Sequence, residues 1–187
     1  MRAYLIFVVL LGMFVVSPVA GQTCQPAGVP LVGPCNNCYD HIANGVPAST
    51  ACWTSNEPYN VSLVTDTLCG WSSNAFDFTY GDSLTQTFTV PSNRTQTNWT
   101  LSYLLTFNDP NNDGWWNRLQ ARVFDATTGQ FIAAQTYWGS NPDISCTLRT
   151  LSFTGNLAGH TLTVRFDGGR AYDNTTIRVR SISLWQQ

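Results

Sequence analysis

Apolar and polar residues alternate along much of this chain. Residues 99–107 set Trp99, Leu101, Tyr103, Leu105 and Phe107 on one side, and Thr100, Ser102, Leu104 and Thr106 on the other. That period of two marks a half-buried β-strand. Residues 83–90 repeat it, with Leu84, Phe88 and Val90 facing in and Thr85, Thr87 and Thr89 facing out. Leu119, Ala121 and Val123 alternate with Gln120 and Arg122, and residues 130–138 return across a short hairpin loop, 125–129, that ends in Gly129. Further strands are predicted over 60–67, 74–80, 144–153, 161–166 and 176–185. The last changes phase, since Ile177 and Val179 face one way and Ile182 with Leu184 needs a bulge near Arg180. No helical period of useful length and no repeat interrupts the pattern. About eight strands with short turns predict an all-β antiparallel fold, a sandwich or barrel that buries its apolar faces against each other.

The pattern is absent at the start. Met1 and Arg2 precede an apolar run over 3–16, then Ser17, Pro18 and the small residues Val19, Ala20 and Gly21. A basic start, an apolar core and a small-residue end read as a secretory signal over 1–21, cleaved after Gly21. The run is shorter than the roughly 20 residues of a spanning helix, so no membrane insertion is expected after cleavage. Residues 22–69 form a Cys-rich entry segment, irregular with one or two short strands over 22–58, and 70–187 form the β-sandwich body.

The remaining six cysteines are Cys24, Cys35, Cys38, Cys52, Cys69 and Cys146. An even number in an oxidising compartment predicts three disulfides, and six cysteines allow 15 pairings. Five of them staple the entry segment, and Cys146 ties a later strand to it. The spacing of Cys35 and Cys38 suits a redox motif or a metal knuckle. It lacks the strand-then-helix context of the first and enough ligands for the second, with His41 alone nearby.

Formal net charge is −2, all nine basic residues are Arg, and charged residues make up 11% of the chain. The overall balance implies no polyanion partner, nucleic acid included. Four sequons, at Asn60, Asn93, Asn98 and Asn174, offer glycosylation sites, a number that chance alone supplies in a chain rich in Asn, Ser and Thr.

The candidate chemistry gathers at the polar stretch 107–117, between two clear strands, where exposed loops carry binding residues. Asp109, Asn111 and Asp113 stand at alternate positions before Gly114. This is the first half of a calcium loop, but Gln120 takes the place of its closing acid. The same spacing also builds an Asn/Asp turn that caps its own backbone. Trp115 and Trp116 offer indole faces on which the apolar C–H faces of a sugar stack, with Asn108 and Asn117 as hydrogen-bonding neighbours. Adjacent residues in extended chain point oppositely, so one indole is expected inside and the other outside. Tyr137 and Trp138 form a second aromatic pair beside a polar turn. No nucleophile motif appears, and His41 and His160 are far apart, so no enzyme and no organic cofactor are expected.

The segments LTQTFTVP (84–91), WTLSYLLTF (99–107), VFDATTG (123–129) and LAGHTLTVRF (157–166), followed by a closing strand over 177–184, resemble a carbohydrate-binding module of the galactose-binding-like jelly-roll fold. The resemblance covers about residues 70–187 and implies a non-catalytic glycan- or polysaccharide-binding domain. Many members hold a structural calcium with acidic residues of the last strand. Here that strand carries Arg178 and Arg180, so that site does not transfer. Two other readings compete: a structural extracellular protein that assembles with itself through edge strands, and a glycan-active enzyme.

Overall fold

The computed structural model describes residues 38–47, 49–55, 61–69, 72–79, 81–111, 116–140, 142–169 and 174–187. Eleven strands run in order: β1 Tyr39–Asp40, β2 Thr54–Ser55, β3 Val61–Asp66, β4 Ser73–Phe78, β5 Asp82–Thr89, β6 Asn98–Asn108, β7 Arg118–Asp125, β8 Gln130–Trp138, β9 Ile144–Thr154, β10 Thr161–Gly169 and β11 Thr176–Gln186. Among the described residues there is no helix. One sheet has the order β3-β4-β11-β6-β9, with β1 also on β11; the other has the order β2-β5-β10-β7-β8. Every pairing is antiparallel. The strands β1, β2 and β3 all precede residue 70, so the entry segment contributes to both sheets.

The chain crosses between sheets at most of its turns. It passes from β5 to β6, from β6 to β7 and from β8 to β9 on alternate layers, as a two-layer β-fold requires when apolar faces must meet. The alternating residues fill the space between. Trp99, Leu101, Tyr103, Leu105 and Phe107 of β6 meet Leu119, Ala121 and Val123 of β7 and Leu162, Val164 and Phe166 of β10, all almost fully buried. Gln86 is a buried polar residue on the inward side of β5. Its amide exchanges two hydrogen bonds with the backbone of Ala43, at 2.7 and 2.8 Å, and so fastens the entry segment to the core.

The phase change in β11 is a bulge: its register on β6 shifts between Arg180 and Ser183, and Ser181 has φ 51°. Ahead of the bulge β11 pairs with β4, and beyond it with β1. The β7–β8 loop is held by Asp125. Its carboxylate accepts from the Thr127 N–H (2.9 Å), the Thr128 hydroxyl (2.7 Å) and His160 Nδ1 (2.8 Å), and Gly129 takes φ 74°. Against the raising effect of desolvation, these bonds hold the Asp125 carboxyl below its ordinary range. His160 is thereby a turn-fixing residue.

Cys69 and Cys146 are bonded, with Cα atoms 5.1 Å apart, so the loop after β3 is strapped across the outer face of the larger sheet to β9. Cys38 and Cys52 are also disulfide-bonded, whereas Cys24 and Cys35 lie outside the described residues. Close to the strap, the buried Arg180 guanidinium lies 3.3 Å from the Cys146 sulfur and bonds Ser73 Oγ at 2.6 Å. Arg178 pairs with Asp77 at 3.0 Å and Asp66 at 3.1 Å. Desolvation works against its charge, but the two carboxylates raise its pKa. The last strand thus brings its own fixed cations to the outer face of this sheet.

Candidate functional site

The loop between β6 and β7 joins the two sheets at one end of the sandwich. Trp115 and Asp113 fall outside the described residues. Trp116 is 75% exposed. Asn108 and Asn111 are exposed as well. Asp109 turns inward and is 5% exposed. Its N–H donates to Asp143 Oδ1 at 3.0 Å, its Oδ1 accepts weakly from Thr175 at 3.4 Å, and its Oδ2 is buried with no partner. Asn117 is fully buried, and its carbonyl accepts the Gly139 N–H at 2.8 Å. A side chain in that position supports the loop from beneath and does not reach an outside ligand. Gly139 packs so closely that a Cβ there would fall on Asp109 Oδ2.

The pleat separates Tyr137 from Trp138. Tyr137 pairs with the buried Leu119 and points inward, where the Tyr103 hydroxyl donates to its oxygen at 3.1 Å. Burial first, and then that bond, push the Tyr103 phenol upward. The Arg149 guanidinium lies 5.5 Å from the Tyr137 ring and closes the side of the sandwich. Trp138 faces the other way, on the outer surface of the smaller sheet, opposite Arg118. The Arg118 guanidinium is 6.0 Å from its ring, and Arg118 and the backbone of Trp116 both flank Gly169.

Trp116 and Trp138 therefore mark one end of a longer surface. Strand alternation sends Arg118, Gln120, Arg122 and Phe124 of β7 outward, since Leu119, Ala121 and Val123 between them are buried. Register places Thr136, Ala134 and Phe131 of β8 beside the last three, and Asp167, Arg165 and Thr163 of β10 on their other side. The six residue steps of strand from Arg118 to Phe124 span about 20 Å. Phe131 is 64% exposed, and its ring is held by Phe124 at 5.2 Å and by the Arg122 guanidinium at 5.4 Å. Asp167 joins both arginines: Arg122 donates Nε at 2.8 Å and also Nη2, and Arg165 donates Nε at 2.6 Å. Gln120 donates to Thr136 Oγ1 at 2.9 Å.

Two hollows lie along this surface. The larger of the two, about 450 Å³, is lined by Asp82, Ser83, Arg118, Arg165 and Asp167 beside glycines. The other, 220 Å³, has Phe124 and Phe131 with Arg122, Arg165, Thr85 and Thr163. Arg165 belongs to both. Such a surface can stack a ring on phenylalanine and hydrogen-bond its substituents with guanidinium and amide donors.

No family model matches the chain, and no curated protein does. Solved structures do. TmCBM61, solved in complex with beta-1,4-galactotriose, aligns over 79% of this chain and 99% of its own, with TM-score 0.55 and 10% identity. This chain shares that structure's fold. A structure described as CBM4 covers 77% of this chain and 98% of its own at TM-score 0.45 and 13% identity. The enzymatically active domain of tailspike protein 4 of bacteriophage CBA120 covers 78% of this chain and 21% of its own, at 0.49 and 13%. Of these likenesses, the first speaks to architecture alone. They name no binding residue of this chain.

The residues of the sheet surface carry only a faint signal in sequence. Gln120 and Arg122 read simply as the polar side of an alternation. The signal was bulk: Phe124 and Phe131 stand at outward positions where Thr or Ser would serve.

Proposed function

We propose that this protein is a secreted, non-catalytic saccharide-binding domain whose ligand lies along the outer face of the smaller sheet. The observation that carries the reading is the exposed Phe131 ring, fixed by Phe124 and Arg122, with donors on both sides. Apolar sugar faces stack on such a ring, and the surface from Trp138 to Phe131 is long enough for several sugar units. A glycan array with the mature chain, repeated with Phe131→Ala, tests it. An exposed ring can be removed with little effect on melting temperature, so binding should vanish while stability holds. Unchanged binding in that variant refutes this face as the site. Trp116→Ala tests the upper end in the same way.

The loop is proposed to take calcium through Asp109, Asn111 and Asp113. Supporting this are the hard oxygen donors and the buried, partnerless Asp109 Oδ2. Melting curves with calcium and with chelator should then separate, because a ligand of the native state raises stability by mass action. Superimposed curves leave Asp109 as a support of the loop.

A further inference from the structure

We propose that the saccharide taken by this face is acidic, carrying carboxylate or sulfate groups; the inference rests on the saccharide reading above. The chain as a whole is slightly acidic, with formal net charge −2. Its arginines are nevertheless unevenly placed. Arg118, Arg122 and Arg165 project from one sheet face, while Arg178 and Arg180 are engaged on the opposite sheet. Asp167 is shared between Arg122 and Arg165, so one carboxylate answers two guanidinium groups and leaves one positive charge in surplus. Arg118 has no carboxylate partner among the described residues. Asp82 lines the larger hollow, but it is nearly buried and accepts from Ser55 Oγ and the Ser83 N–H. The smaller hollow has two arginines and no acid in its wall.

Asp167 also sets the geometry. It engages Arg165 through Nε alone and Arg122 through Nε and Nη2. The Arg165 side chain is 41% exposed, and its two Nη groups lie beyond that bond. A guanidinium held along one edge and open at the other suits a planar, two-oxygen anion. The anion would sit on Arg165 and Arg122 while the ring that bears it stacks on Phe131. A face built for neutral sugar would need no surplus cation, and here Gln120 is the one outward amide among the strand residues that form it.

Titration calorimetry of the mature chain separates the possibilities. The probes are polygalacturonate against its fully methyl-esterified form, and dextran sulfate against dextran, with an array of acidic and neutral glycans beside them. The charged member of at least one pair should bind at least tenfold tighter than its neutral partner. Its affinity should fall as salt is raised, as expected for a charge contact. Arg165→Gln should lose at least tenfold, and Arg165→Lys should recover part of the loss. Carboxylate and sulfate are distinguished by which pair responds. Equal binding of charged and neutral forms, both lost in Phe131→Ala, keeps the site and overturns the acidic preference. Charged-glycan binding that Arg165→Gln leaves intact also overturns it. Absence of binding to every glycan overturns both. If Arg165→Gln melts early, the paired probes and salt dependence of the native chain still decide.

Discussion

His41 makes the domain acid-sensitive in a window that can be calculated. It is 1% exposed, with its ring against Tyr39 at 4.7 Å, Trp99 at 5.1 Å and Phe88 at 5.4 Å. Gln186 spends its amide N–H groups on the Arg94 and Gln96 carbonyls, so its Oε1 is the acceptor for His41 Nε2–H at 3.0 Å. Nδ1 is buried with no partner. Protonation would place a second N–H there with nothing to receive it. Desolvation lowers the pKa to about 4, against the raising effect of Gln186, and nearby Arg94 lowers it further. A base whose folded pKa is depressed is protonated first in the unfolded chain. Its contribution is complete above about pH 6.5, is lost as pH falls toward 4, and changes no further below that. A shift of about 2.5 pH units corresponds to about 3 kcal/mol. Asp40 has the opposite sign. Desolvation raises its pKa over the hydrogen bonds from Ile42 and Leu184, so its protonation favours the folded state at the acid end. The upper part of the window, nearest pH 6.5, is therefore the cleanest. Urea unfolding followed by tryptophan fluorescence should show stability falling across it in the native chain. In His41→Gln, the starting stability should be lower but nearly flat over the same interval. Parallel slopes for the two proteins would refute the assignment.

Gly139→Ala should destabilise by about 1–3 kcal/mol in urea unfolding, because the new methyl meets Asp109 and Asn117 in a packed loop base. Replacing Cys69 and Cys146 together by Ala opens a loop of 77 residues and should lower stability by about 4 kcal/mol, read as a shift in the unfolding midpoint. A maleimide added to the unfolded, unreduced chain should find no thiol, since no cysteine among the described residues is free and an even number in an oxidising compartment pairs fully.

Strand content was largely legible because burial on one face imposes a period of two on each strand. The bulge in β11 was legible for the same reason, since Ile182 and Leu184 can join Ile177 and Val179 in the core only through a shift of phase. Partnership between strands was not. β6 and β7 are neighbours in sequence, yet they belong to opposite sheets. Tyr137 and Trp138 look like one aromatic pair, and the pleat sends them to opposite faces. The Arg165–Asp167–Arg122 cluster depends on the register of β10 against β7, which no local pattern encodes. Asn117 resembles a surface ligand because polar residues usually lie outside, and here a backbone bond to Gly139 holds it within. The pairing of Cys69 with Cys146 likewise needs the loop after β3 to lie beside β9.

The exchange of partners at the β11 bulge gives the entry segment a guarding role. Beyond the bulge, the side of β11 turned away from β6 is satisfied by that segment. Ile182 N–H donates to the Gly45 carbonyl, Leu184 N–H to Asp40 Oδ1, and the Leu184 carbonyl accepts from His41 N–H. Gly45 approaches so closely that a Cβ would strike the Ile182 carbonyl. Were the entry segment clipped away, half of a long strand in mid-sheet would be left with open backbone donors and acceptors, a template for strand addition from another chain. The disulfides at Cys38 and Cys52 bracket the residues that make these bonds. They keep that edge covered, so limited proteolysis under reducing conditions should convert the chain into an aggregating species.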